Sequence, residues 1–355
     1  MTMQDADTNI RLTFKDGGWV LLLLLVVILA IIAWAVAPAV LRLGNQGVGD
    51  GSSIASYAFD MSNAQLASET TIPVMQHRDM SPVLHNPEIY DVAALAESNS
   101  GPRNKFIVSK DLVVGVTING ESRAYPLHVL NVHEIVNDTL GDTPITVYWN
   151  WPSGHIAVFE RTIEGSEVQF GISGISGNGS MLLYVDSGEV GGEQLWSAMQ
   201  SESVTGAPLP LTEVTHEVTS WAHWVERNPE TTALAPDEQY KKRYRKGDPR
   251  TYFLNDTIYF PVSPMPADDV HPKTAVVVLP TTNGFTAFPI DSLFSTANED
   301  GFATRSLQGD TVIFEVSNSP HYAVARDKDG NVLASTRALW FTWFANHPET
   351  VLITE

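Results

Sequence analysis

LVVGVTINGESRAYPL, Leu112 to Leu127, is the stretch on which the fold turns. Leu112-Val113-Val114-Gly115-Val116-Thr117-Ile118 is rich in β-branched side chains, Asn119-Gly120 follows, and Ser122 to Tyr125 returns. Asn and Gly tolerate the positive φ values that a tight two-residue turn demands, so the pair marks an antiparallel hairpin. Working outward, Pro144–Tyr148, Ile156–Ile163, Val168–Ile172 and Met181–Val185 read as further short strands. Helical patches are fewer: Pro126–Val136, Glu193–Gln200 and Val218–Arg227. In the last, Trp221, Trp224 and Val225 form an i, i+3, i+4 stripe that reads as core packing. The expected class is mainly β (α+β), with a few packed helices.

The hairpin has an echo. Asn119-Gly120 leading to Ala124-Tyr125-Pro126-Leu127 returns as Asn283-Gly284 leading to Ala287-Phe288-Pro289-Ile290. Gly141-Asp142-Thr143 returns as Gly309-Asp310-Thr311, and Ala157-Val158 as Ala323-Val324. Trp221-x-x-Trp224-x4-Pro229-Glu230-Thr231 returns as Trp340-x-x-Trp343-x4-Pro348-Glu349-Thr350. Landmarks repeated in one order predict two divergent β-rich units, 72–262 and a reduced 263–355. The second copy has Asp291 to Asp300 where the first has His128 to Asp138, and lacks both histidines, so a site is expected in the first unit.

Ahead of these units, Trp19 to Leu41 is free of charge and spans about 35 Å as a helix, enough for a ~30 Å hydrocarbon layer. Ala33-Trp34-Ala35 and Ala35-Val36-Ala37 also resemble a signal-peptide cleavage pattern. The length of the apolar run favours a retained transmembrane helix over 19–41. Arg11 and Lys15 precede the span and only Arg42 follows closely, which predicts a cytoplasmic N-terminus (1–18) and an extracytoplasmic bulk. Residues 42–71, rich in Gly, Ser, Ala and Asn, read as a flexible stalk. The membrane is thus an expected partner, and a small-molecule or protein partner is left open. Net charge is −20 over 355 residues, so nucleic acid is not a partner, because phosphate binding needs a basic surface. There is no cysteine, which excludes disulfides, thiolate-held metals and iron–sulfur clusters, and leaves a His- or carboxylate-held metal open.

The chain resembles the prokaryotic family catalogued as domain of unknown function 3179. The resemblance rests on Asn86-Pro87, Gly115-Val116 with its Asn-Gly turn, Arg123 to Leu127, and His133-Glu134-Ile135-Val136-Asn137-Asp138-Thr139. Gly171-Ile172-Ser173-Gly174, Leu195-Trp196-Ser197 and His271-Pro272-Lys273-Thr274 extend it over roughly residues 80 to 355. It implies a duplicated, β-rich, exported or membrane-attached domain and supplies no activity. Similar members carry Tyr-Cys-Pro-Leu-Cys, or a single-cysteine form, where this chain has Tyr148-Trp149-Asn150-Trp151-Pro152. Thiol chemistry, if the family uses it, is lost or replaced here.

Candidate site residues cluster in the first unit. His133 with Asp138 or Glu134 is a possible acid–base pair for a hydrolase-like enzyme. The alternative has His133 hydrogen-bonded into the core while Asn137 and Asp138 cap a turn. Tyr148, Trp149 and Trp151 offer an aromatic platform for a flat ligand, or fold inward as core. His128, His133 and His155 are the candidate metal ligands, although an offset of five places the first two on different helix faces. Lys241, Lys242, Arg243, Arg245 and Lys246 form a basic run suited to anionic lipid or an acidic partner, or to the protein's own carboxylates. The leading expectation is a ligand- or metal-binding ectodomain, its pocket between the His133 segment and the Trp149–His155 loop. An enzyme and a scaffold for an extracytoplasmic partner are the alternatives.

Overall fold

Asn119 and Gly120 both take positive φ, 51° and 85°, and close a hairpin in which Ile118 faces Glu121. The computed structural model describes residues 18–44, 47–100, 105–244 and 249–355. It divides into a unit ending at Gly47 and a body, Val48–Glu355. In the first unit helix α1, Gly18–Gly44, contains a stretch, Gly18–Val36, long and apolar enough to cross a membrane.

The body is mainly β. In chain order its principal elements are β1 (Leu112–Ile118), β2 (Glu121–Pro126), α2 (Leu127–His133), β3 (Ile135–Leu140), β4 (Thr143–Asn150) and β5 (His155–Glu160). There follow β6 (Phe170–Gly177), β7 (Ser180–Val185), β8 (His216–Ser220), α3 (Trp221–Arg227) and β9 (Thr232–Leu234). The later part has β10 (Ala275–Thr281), β11 (Gly284–Pro289), α4 (Ile290–Ser295), β12 (Phe302–Leu307), β13 (Asp310–Asn318) and β14 (His321–Arg326). It closes with β15 (Thr336–Leu339), α5 (Trp340–Asn346) and β16 (Val351–Leu352).

Two four-strand runs share one order. β8, β1, β2, β9 are neighbours in one sheet, and β15, β10, β11, β16 are neighbours in another. In both, the last pair is parallel and the others antiparallel. The second run does not stand apart. It continues across β15 into β5, β4 and β3, making one eight-stranded central sheet from both ends of the chain. The join is narrow: β15 meets β5 through the pair Arg337 and Ile156.

One face of the central sheet is covered twice. Over β3–β5, Val136, Val147, Trp149 and Ile156 pack with Val114, Tyr125 and Leu130. Over β10 and β11, Val277 and Phe288 pack with Phe314, Val316 and Leu293. The other face of β4 and β5 carries Tyr148 and Phe159 against Phe170, Leu183 and Trp196 from the β6–β7 sheet. α3 lies so close on β1 that a Cβ on Gly115 would sit 2.3 Å from the Trp224 ring.

Two expectations are corrected. Much of the stretch read as a stalk belongs to the body: Tyr57 and Phe59 are buried, and Thr71–Pro73 pairs with β6. Its small polar residues serve tight turns rather than a tether. Glu193–Gln200 is not a helix; Leu195–Ser197 is a strand beside β7, because Leu195 and Trp196 are drawn into two different cores.

Candidate functional site

α2 ends at Glu134, whose φ of 57° turns the chain out of the helix and into β3. That turn drives His133 into the interior. Its Nδ1–H donates to the Pro82 carbonyl at 2.5 Å and its Nε2 accepts from the Tyr244 hydroxyl at 2.8 Å. Burial lowers its pKa, opposed by the Pro82 bond, so the ring is neutral with both nitrogens committed. Glu134 is also buried, and desolvation raises its pKa against hydrogen bonds from Ser81, at 2.6 Å, and Asn150. Asp138 accepts from Arg123 Nη1 at 2.6 Å and the Tyr125 hydroxyl at 2.8 Å. Neither carboxylate is among the partners of the His133 ring. The expected acid–base pair is not formed, because each group is consumed by a neighbour from another strand or loop.

Asn137 donates to the Phe170 carbonyl at 2.9 Å and accepts from its N–H at 3.1 Å, pinning β3 to β6 as a neighbouring strand would. The three candidate metal ligands separate. His128 packs edge-on to Phe106 and Tyr244, at 5.2 and 6.3 Å between ring centres. His155 faces Asn150 on the side of the sheet that carries Tyr148, 5.7 Å between rings, and burial pushes its pKa down to about 3. The pleat of β4 and β5 sends it away from the Trp149 side. Among the described residues no group of three or more His, Cys, Asp or Glu side chains is placed to hold a metal.

The aromatic platform folds inward. The Tyr148 hydroxyl donates to the Met181 carbonyl at 2.9 Å, and Trp151 lies edge-on to Tyr252 and Tyr259 at 5.3 and 5.7 Å. Trp149 is buried and donates through Nε1 to Asn131 at 2.8 Å, yet it borders open space. In the basic run, Lys241 pairs with Glu238 at 2.7 Å, Arg243 lies over the Tyr240 ring at 5.6 Å, and Lys242 is exposed. Arg245 and Lys246 lie outside the described residues.

The space that Trp149 borders is a cavity of about 890 Å³ where the two coverings of the central sheet diverge. Trp149, Ala275, Arg337 and Leu339 line it from the sheet. Leu112, Leu127 and Asn131 close one side, and His271, Lys273, Asp291 and His321 the other. His133, Glu134, Asn137, Asp138, Tyr148, Trp151, His128 and His155 are not in its wall. Its charged groups come equally from both parts of the chain, Lys110, Asp111 and Arg250 from the first unit and Lys273, Asp291 and Arg337 from the second, where the sequence reading expects no site.

Those groups are individually placed. Lys273 Nζ donates to the Tyr252 and Asn255 carbonyls at 2.7 Å each and lies 3.5 Å over the Tyr252 ring. His321 Nε2–H donates to Asp291 at 3.0 Å. Burial and the nearby Arg337 charge lower its pKa, with Asp291 opposing. Arg337 differs from both. Among the described residues its Nε is sealed from solvent without a hydrogen-bond partner, and burial pulls the guanidinium down to about 10, with no opposing carboxylate. It remains charged at neutral pH. Its signal in the sequence is one cation inside Thr336-Arg337-Ala338-Leu339, a strand that otherwise turns apolar toward Trp340.

A family model described as a protein of unknown function (DUF3179) matches residues 78–331. No curated protein and no solved structure matches the chain.

Proposed function

The chain belongs to the DUF3179 family of proteins of unknown function, and from that premise we propose a membrane-anchored small-molecule-binding protein. In this reading Gly18–Val36 is a retained anchor and the body is extracytoplasmic. The two four-strand runs of equal order are the products of one duplication. The lysine and arginine bias around the span supports the orientation, and the matching strand order supports the duplication.

The observation that carries the binding assignment is the 890 Å³ cavity between the two coverings of the central sheet. Ligand sites are concave, mostly apolar and supplied with a few converging polar groups, at about 300–1,000 Å³. Here Leu112, Leu127, Trp149 and Leu339 supply the apolar wall, and Arg337, His321 and Lys273 the polar groups. Binding is favoured over the His133 chemistry because His133, Glu134 and Asp138 are spent inside the fold.

The test is a thermal-shift screen of the full chain in non-ionic detergent, against small metabolites of every charge type. Thr274→Trp, in the cavity wall, is run in parallel to fill the space. At least one compound should raise the melting temperature of the wild type and leave Thr274→Trp unmoved. Equal shifts in both proteins, or none in either, would refute the assignment.

A further inference from the structure

We infer that the cavity takes a small amphiphilic anion, its carboxylate or phosphate head held by Arg337 and its hydrocarbon against Trp149, Leu127 and Leu339. This rests on the reading of the cavity as a ligand site and adds the class of ligand.

The argument begins with register. Trp149 faces Ile156, Ile156 faces Arg337, Arg337 faces Val277, and Val277 faces Phe288. Cross-strand partners project to the same side of a sheet, so these five side chains form one row across the centre of the body. Four are apolar and belong to the two cores; the fifth is a guanidinium. A cation in such a row is normally matched by a carboxylate, since an unmatched buried charge is costly. Arg337 has no such partner among the described residues, and its Nε is buried without a hydrogen bond.

The carboxylates nearest in the wall do not serve it. Asp291 is engaged by His321, and Asp111 lines the cavity without bonding to Arg337. Lys273 is held by two backbone carbonyls and an aromatic face, so it adds positive potential without needing the ligand. Lys110, Arg250, Lys273 and Arg337 outnumber Asp111 and Asp291 in the wall, whereas the whole chain has 41 acidic and 21 basic residues. The cavity therefore inverts the sign of the protein around it. A guanidinium's planar fork suits the paired oxygens of a carboxylate or phosphate. The apolar wall beside it disfavours a bare inorganic ion as the fitting occupant, because Leu112, Leu127 and Phe253, which are not buried by the fold, would then face water.

The experiment is calorimetric titration of the full chain in non-ionic detergent with hexanoate, hexyl phosphate and the uncharged isostere hexanamide. At least one of the two anions should bind tighter than hexanamide by roughly tenfold or more, as expected for a charge-assisted hydrogen bond. The tighter of the two anions identifies the head group, and either order supports the inference. Arg337→Gln should lose that preference, binding all three compounds alike, and Arg337→Lys should keep part of it. Hexanamide equal to both anions in the wild type, a comparison that needs no variant, would overturn the anion assignment and leave the cavity as a binding site. An unchanged anion preference in folded Arg337→Gln would do the same. Binding of none of the three would overturn both.

Discussion

Arg337→Met should make the ligand-free protein more stable, and the size of the gain can be worked from its surroundings. Burial lowers the guanidinium from its ordinary 12.5 to about 10, with no neighbouring charge to offset it. At ~1.4 kcal/mol per tenfold, that corresponds to about 3 kcal/mol of solvation lost on folding. For a base with a depressed folded pKa, the penalty is complete at neutral pH, where both states are protonated. It is relieved only as pH rises past about 10. The side chain is half-buried and lines the cavity, where water reaches part of it, so about 1–2 kcal/mol is the realistic gain. Methionine fits the same row as a flexible apolar chain. The assay is thermal unfolding of the full chain in non-ionic detergent at pH 7, followed by tryptophan fluorescence, and the rise should be about 2–6 °C. A fall equivalent to about 1 kcal/mol or more would mean that Arg337 is stabilised within the fold, and the argument for a missing anionic partner would collapse.

Three other outcomes follow from the same contacts. His155, held down to about 3, stays neutral in the fold while the unfolded chain takes up a proton below about 6.5. Stability is therefore lost as pH falls from about 6.5 towards 3, by about 2 kcal/mol at pH 5; in urea titrations at pH 7.5 and 5, His155→Leu should lose that much less than the wild type, and parallel losses would reject the assignment. Gly115→Ala places a methyl 2.3 Å from the Trp224 ring and should cost about 2–3 kcal/mol in urea unfolding, whereas a neutral effect would show that α3 can shift off β1. Tyr244→Phe removes the donor to His133 Nε2 and should cost about 1–2 kcal/mol with hexanoate affinity unchanged; a selective loss of affinity would return the His133 segment to the ligand site.

What the sequence made legible was local. Asn119-Gly120 marks its hairpin because two adjacent residues carry the whole conformational requirement; Asn283-Gly284 marks the second hairpin only to within one residue, since the turn is Thr282-Asn283 and Gly284 already pairs with Thr281. Leu195-Trp196-Ser197 was misread because a helical and a strand pattern agree over so short a run, and the deciding factor, two cores on opposite sides, lies outside the segment. Residues 48–71 were misread for a related reason. A Gly/Ser-rich composition is shared by tethers and by tight turns, and Tyr57 and Phe59 find their cover only from β6, β7 and their neighbours, far along the chain.

The placement of the candidate residues is more instructive. His133, Glu134, Asn137 and Asp138 look like chemistry because polar groups of catalytic type are close in sequence. Each instead bonds a polar group of another segment packed against it: Tyr244, Ser81, Phe170 and Arg123 in turn. Density of polar residues in a mainly β interior is thus first a consequence of closing the fold. More informative is a charged residue that the fold leaves unsatisfied beside open space, and that property depends on register. Arg337 stands out only when β15 is set between β5 and β10, so that Ile156 and Val277 flank it. An apolar side chain there would continue the row that joins the two cores. A guanidinium interrupts it instead, beside an opening that Arg337 itself lines and with no carboxylate partner among the described residues.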